Sequence, residues 1–204
     1  MELKEFLSII KKKLWFLILV TLLTTGVTWA ITTYYIQPQY RVSTLVIIGD
    51  KNLSSTSKPN INDMVLYQGL AQTYAEFAAT RKVATDVINT LNLNMSSAQL
   101  MSMISAAPSE KSQFLNITVI STNKDEVAPI ANQVVKSLKK VTKNIADPDT
   151  IQVIDEAITP NYPFSPNIAL NSTAAFFLGI MLSIGVIFLH EYVAGSVKTE
   201  NELS

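Results

Sequence analysis

The sequence predicts a membrane protein in which two transmembrane helices flank a compact extracytoplasmic α/β (α+β) domain. Three observations predict it. No charged residue occurs between Lys13 and Arg41, none occurs between Glu156 and Glu191, and the stretch between these two regions alternates strand-like and helix-like apolar patterns. The chain is 48% hydrophobic and only 16% charged, whereas a soluble domain carries about 25% charge. The two charge-free stretches account for much of that deficit.

Residues 1–13 read as a cytoplasmic N-terminal segment. Lys4, Lys11, Lys12 and Lys13 outweigh Glu2 and Glu5 there, and the positive-inside bias keeps such a flank in the cytoplasm. Residues 14–36 read as the first span: 23 mostly apolar residues, which at ~1.5 Å per residue exceed a hydrocarbon core ~30 Å thick. The run is too long for the apolar region of a cleaved signal peptide, so the span is read as retained. Residues 168–189 form a second span of 22 residues. Two spans return the chain to its starting side, which makes residues 190–204 a cytoplasmic tail and places both termini inside the cell membrane. Residues 37–167 then lie outside. Their 11 Lys/Arg balance 11 Asp/Glu, which argues against a polycationic nucleic-acid surface.

Within the external domain, 37–159, residues 40–48 are rich in Val, Ile and Thr and read as a strand leaving the membrane. A polar loop follows over 49–62. Residues 63–79 read as a helix with Leu66, Leu70, Tyr74, Phe77 and Ala78 on one face. Thr80 is placed to cap a second helix over 81–91. Ser96 with Gln99 has the spacing of a capping box and opens a short helix through Ile104. Residues 115–119 alternate as a strand. Residues 124–141 put Val127, Ala131, Val134, Leu138 and Val141 at helical spacing, with Pro129 expected near the helix start, where its missing N–H costs least. Residues 151–157 read as the last strand.

Little here suggests catalysis. There is no cysteine, and the one histidine, His190, lies at the edge of the second span. A disulfide, a Cys-type zinc site and a histidine-based triad or metal site in the domain are therefore excluded. Asp125–Glu126 and Asp155–Glu156 are adjacent carboxylate pairs, read as solvated surface; strand neighbours point to opposite faces. There is no phosphate-binding P-loop. No metal, no cofactor and no enzymatic activity are expected. Arg81, Lys82, Lys136 and Lys140 read either as solvated helix surface or as a contact for an anionic polymer or a neighbouring subunit. Gly26 with Ala30, and Gly179 with Ser183, are small residues four apart in the spans. That spacing is either ordinary membrane composition or helix packing, within or between subunits.

Pro160, Pro163 and Pro166 recur every third residue over 160–167, just before the second span. Period three suits a polyproline II strut; a plain proline-containing loop is the alternative. With Ser165 these prolines form a Pro-x-x-Pro-x-Ser-Pro segment, and Pro38-Gln39-Tyr40 opens the domain after the first span. This layout resembles the Wzz-type chain-length determinants, the polysaccharide co-polymerases, over nearly the whole chain. Val197, Lys198, Thr199, Glu200, Asn201, Glu202 and Leu203 resemble the Lys-Thr/Ser-Glu segment that follows the second span in Gram-positive members, with Glu202 displaced by one place. The resemblance implies a non-enzymatic regulator of capsular or exopolysaccharide assembly and export. It would oligomerise in membrane lipid beside the polymerase machinery and activate a separate cytoplasmic tyrosine kinase through those tail residues. Two other classes stay open: an extracytoplasmic sensor or ligand-binding membrane protein, which would carry a long signalling domain after its last span, and a membrane-tethered glycan hydrolase using paired carboxylates.

Overall fold

The computed structural model describes residues 11–49, 61–109, 112–143 and 150–201, with backbone alone for 61–63 and 192–201. In chain order the elements are α1 (Leu14–Tyr34), β1 (Tyr40–Ile48), α2 (Ile61–Ala78), α3 (Arg81–Leu91), α4 (Ser97–Met103), β2 (Ile104–Pro108), β3 (Phe114–Ser121), α5 (Lys124–Thr142), β4 (Ile151–Asp155) and α6 (Ile168–Asn201). They form two compact units: a helical unit built from both ends of the chain, and an α/β unit over Pro38–Ser165.

The helical unit pairs α1 with α6, both long and apolar enough to cross a membrane. Leu22, Leu23, Met181 and Leu189 project outward, while Thr21, Thr32, Ala175, Ser183 and Ile187 are buried. Helices that are apolar all round suit a lipid surround. Two of the buried polar residues bond within their own helices: Thr21 Oγ1 donates to the Leu17 carbonyl at 2.8 Å and Ser183 Oγ to that of Ile180 at 2.8 Å. α1 ends at Tyr34, two residues before the apolar run does; the Tyr35 N–H still donates to the Ile31 carbonyl.

The α/β unit is a four-stranded antiparallel sheet in the order β2-β3-β1-β4. Alternation along the central strands sets its two faces. Val42, Thr44, Val46 and Ile48 of β1, with Leu115, Ile117 and Val119 of β3, are buried. Helices α2 and α5 pack on the sheet, and α3 packs on α4 and α5. On the open face Ser43 and Thr118, directly opposite in register, hydrogen-bond through their hydroxyls at 2.8 Å. Val127, Ala131, Val134 and Leu138 are buried as the helical spacing predicts, with Val141 half-buried.

Local details depart from the sequence reading. Thr80 occupies the N-cap of α3, but its hydroxyl donates backwards to the Phe77 carbonyl at 2.7 Å and caps nothing. Ser96 and Gln99 do form the reciprocal capping box. Ile104 begins β2 rather than ending a helix; pairing with β3 imposes that conformation on a segment of mostly small residues. Leu66 is exposed. Pro129 is the sixth residue of α5, one turn deeper than expected, so no N–H meets the Asp125 carbonyl there. β4 stops at Asp155 because the Asn132 side-chain amide captures Ala157, accepting from its N–H at 2.9 Å and donating to its carbonyl at 3.0 Å. The 49–62 loop lies largely outside the described residues.

Candidate functional site

Helix α3 divides cleanly. Val83, Ala84 and Val87 are buried, which turns Arg81, Lys82, Thr85, Asp86 and Asn89 to the opposite side. There they meet Lys140 and Val141 of α5 and line a groove of 640 Å³. The structure thus brings together three of the four basic residues singled out from sequence. Lys136, one turn earlier on α5, is exposed but does not line the groove.

The groove is not uniformly cationic. Lys140 Nζ lies 2.5 Å from Asp86 Oδ1, and Ser137 Oγ donates to Asp86 Oδ2 at 2.8 Å. Gln133 Nε2 in turn donates to Ser137 Oγ at 3.3 Å. The hydrogen bond from Lys140, then that from Ser137, hold the Asp86 carboxyl below the usual carboxylate range, against the opposing effect of burial. Lys140 is therefore committed to pinning α5 to α3. Arg81 and Lys82 are exposed and have no acidic partner among the described residues. They sit in the first turn of α3, where the helix dipole disfavours positive charge, so the fold gains little by holding them there. The groove offers two uncommitted cations beside the Thr85 hydroxyl and Asn89 amide: hydrogen-bonding chemistry suited to a hydroxyl-rich or anionic chain.

Sequence reading missed Asp86, Ser137, Thr85 and Asn89. The spacing 81, 82, 85, 86, 89 marks one polar face of α3 and was available. That this face meets Ser137 and Lys140 depends on the packing of α3 on α5, which no local pattern encodes. None of Asp125, Glu126, Asp155 and Glu156 lines the groove.

In the helical unit, a Cβ added at Gly179 would lie 2.2 Å from Thr24 Oγ1 and 3.1 Å from Thr21 Cα, so glycine is what permits α6 to approach α1 at this point. Ser183, four residues on, is fully buried. Gly26 has nothing within 4 Å, and Ala30 is half-buried, so close packing inside this chain falls on the second pair.

The proline segment does not run as a straight strut. The chain bends at residues 161–162 and 164. Between Pro163 and Pro166, Ser165 pairs with Gln39: the Gln39 N–H donates to the Ser165 carbonyl at 2.8 Å, and the Phe164 N–H to the Gln39 carbonyl at 2.7 Å. The Arg41 guanidinium stacks over the Phe164 ring, 3.4 Å from its centroid. The two ends of the α/β unit are therefore clasped to each other. Val197, Lys198, Thr199, Glu200 and Asn201 continue the backbone of α6; their side chains, and all of Glu202 and Leu203, lie outside the described residues.

Residues 1–91 match the family model described as Wzz, chain length determinant protein. The chain is 28% identical over 204 residues to YwqC, named a probable capsular polysaccharide biosynthesis protein, of Bacillus subtilis, covering 99% of this chain and 82% of that one. It is 25% identical over 205 residues to the capsular polysaccharide type 8 biosynthesis protein cap8A of Staphylococcus aureus, covering 100% and 91%. A solved full-length bacterial polysaccharide co-polymerase shares the fold with a TM-score of 0.57 at 9% identity, over 95% of this chain and 99% of that one. The resemblance to the Wzz-type proteins is borne out, and so is a fold of two long apolar helices flanking an α/β domain.

Proposed function

Starting from a chain that carries the Wzz chain-length-determinant pattern over its first 91 residues, we propose that it is a polysaccharide co-polymerase of capsular or exopolysaccharide biosynthesis, acting without catalysis of its own. It spans the cell membrane twice with both termini in the cytoplasm, and it works as an oligomer beside the polymerase and export machinery. Relatedness to capsular polysaccharide biosynthesis proteins over essentially the whole chain carries this reading.

The α3–α5 groove, with Arg81 and Lys82 uncommitted, is the surface through which the external domain meets polymer or a neighbouring subunit. The finer role is activation of a separate cytoplasmic tyrosine kinase by residues 197–203. Supporting it, α6 runs without a break for 34 residues, Ile168–Asn201, about 51 Å at the α-helical rise. That exceeds a hydrocarbon core of about 30 Å and carries the helix past the span as far as Asn201.

Deleting the gene from its host tests the assembly role. The cell-surface polymer should change its length distribution on size-exclusion chromatography and recover on complementation; an unchanged amount and length would overturn it. Kinase activation is tested by autophosphorylation of the co-expressed kinase with and without residues 190–204. Phosphorylation independent of the tail would remove the activator role and leave the assembly role standing.

A further inference from the structure

A cavity of 290 Å³ opens in the helical unit, lined by Lys13 and Phe16 of the first helical segment and Val186, Ile187 and His190 of α6. Its polarity runs in one direction. Phe16, Val186 and Ile187 form a hydrocarbon wall, and Lys13 and His190 stand at the other side. Lys13 Nζ lies 2.9 Å from His190 Nδ1. An ammonium can only donate, so the imidazole accepts at Nδ1. Glu191 approaches Lys13 at 3.9 Å, a loose pair with both side chains partly exposed. Lys11 and Lys12 are exposed immediately before Lys13. Among the described side chains, three lysines therefore stand with one carboxylate at this end of the helix pair. A phospholipid has this same polarity: a phosphate joined to hydrocarbon. Basic pockets between transmembrane helices are suited to anionic headgroups, and lysine near a helix end reaches toward the interface.

We propose that this cavity binds an anionic phospholipid of the leaflet that faces Lys13. The phosphate takes the Lys13 ammonium, which His190 Nδ1 holds in place, and the acyl chain lies along Phe16, Val186 and Ile187. The site is separate from the groove of the α/β unit and requires only that α1 and α6 lie in a bilayer. Glu191 competes with the phosphate for Lys13, which sets the sign of the test.

Native mass spectrometry of the full chain in mild detergent, titrated with phosphatidylglycerol or with phosphatidylcholine of the same acyl chains, reads the occupancy. Phosphatidylglycerol should be retained in preference. Lys13→Gln should weaken it about five-fold, the effect of one lysine at an anionic surface, and His190→Phe should weaken it as well. Glu191→Gln should tighten it. Val186→Trp, which fills the cavity without changing any charge, should abolish the preference; far-ultraviolet circular dichroism confirms that each variant keeps its helices. The Lys11→Gln/Lys12→Gln double variant should retain more lipid than Lys13→Gln. If the double variant loses as much lipid as Lys13→Gln while Val186→Trp loses none, diffuse surface charge alone is responsible and the site does not exist. Displacement of bound lipid by millimolar inorganic phosphate would identify a free-anion site instead and overturn the lipid assignment.

Discussion

Leu22 and Leu138 are the same side chain in opposite surroundings. Leu22 of α1 is 68% exposed within the chain; Leu138 of α5 is 0% exposed, under the sheet. In α5 the hydrophobic effect sorts residues, apolar inward and lysines outward. In α1 and α6 no such sorting occurs, and the buried positions go to Thr21, Ala175 and Ser183 as readily as to Ile187. The difference teaches what holds each unit. The domain is held by removal of apolar surface from water. In the proposed membrane setting lipid is as apolar as the leucines of the helix pair, and close backbone approach holds the two helices together.

Truncation should separate the two units most sharply. Leu138→Ala should destabilise the α/β unit by roughly 2–5 kcal/mol, the usual range for a buried leucine, read from hydrogen exchange of the β1 and β3 amides in the full chain. Leu22→Ala should leave that exchange unchanged and barely move the melting of the helix pair. A large effect of Leu22→Ala would break the comparison and put this leucine at an interface between subunits.

Overpacking should show the reverse. Gly179→Leu forces a side chain against Thr24 and the Thr21 backbone and should cost about 1–3 kcal/mol. Gly26→Leu, with open space, should cost the isolated chain nothing. Thermal unfolding in detergent compares the two directly.

The layout was legible because it rests on runs of composition: two charge-free stretches, strands of Val and Ile, and the 3.6 period of α5. The Ser96–Gln99 capping box was legible because its partners are three residues apart. What escaped depends on distant chain. β2 exists because β3 is beside it, β4 ends where Asn132 takes Ala157, and Lys140 belongs to Asp86, 54 residues away. The groove was half visible for the same reason: its cations stand out in the sequence, but the packing that converts one of them into a clamp does not.

That clamp gives a smaller prediction. Ser137→Ala should cost the α/β unit about 1 kcal/mol, mainly through the lost hydrogen bond to Asp86, with the longer one from Gln133 lost as well. Asp86 has its folded pKa depressed, by Lys140 first and then Ser137. Its stabilising contribution is therefore complete above the unfolded carboxylate value of about 3.9 and is lost as pH falls below that through the folded value. Asp86→Asn should flatten this part of the acid-unfolding curve and leave the curve near neutrality parallel to that of the parent. Smallest is the clasp at the domain ends. Phe164→Ala removes the ring beneath Arg41 and should cost about 0.5–1 kcal/mol, seen as faster exchange of the Gln39 amide.

The proposed topology joins a domain outside the cell to a tail inside it, and the chain's lack of cysteine makes this directly measurable. The single-cysteine variants Glu76→Cys, exposed and away from the groove, and Lys198→Cys are labelled in intact cells with a membrane-impermeant maleimide. Glu76→Cys should label at once and Lys198→Cys only after lysis. Labelling of Lys198→Cys in intact cells, or protection of Glu76→Cys, would contradict the proposed topology.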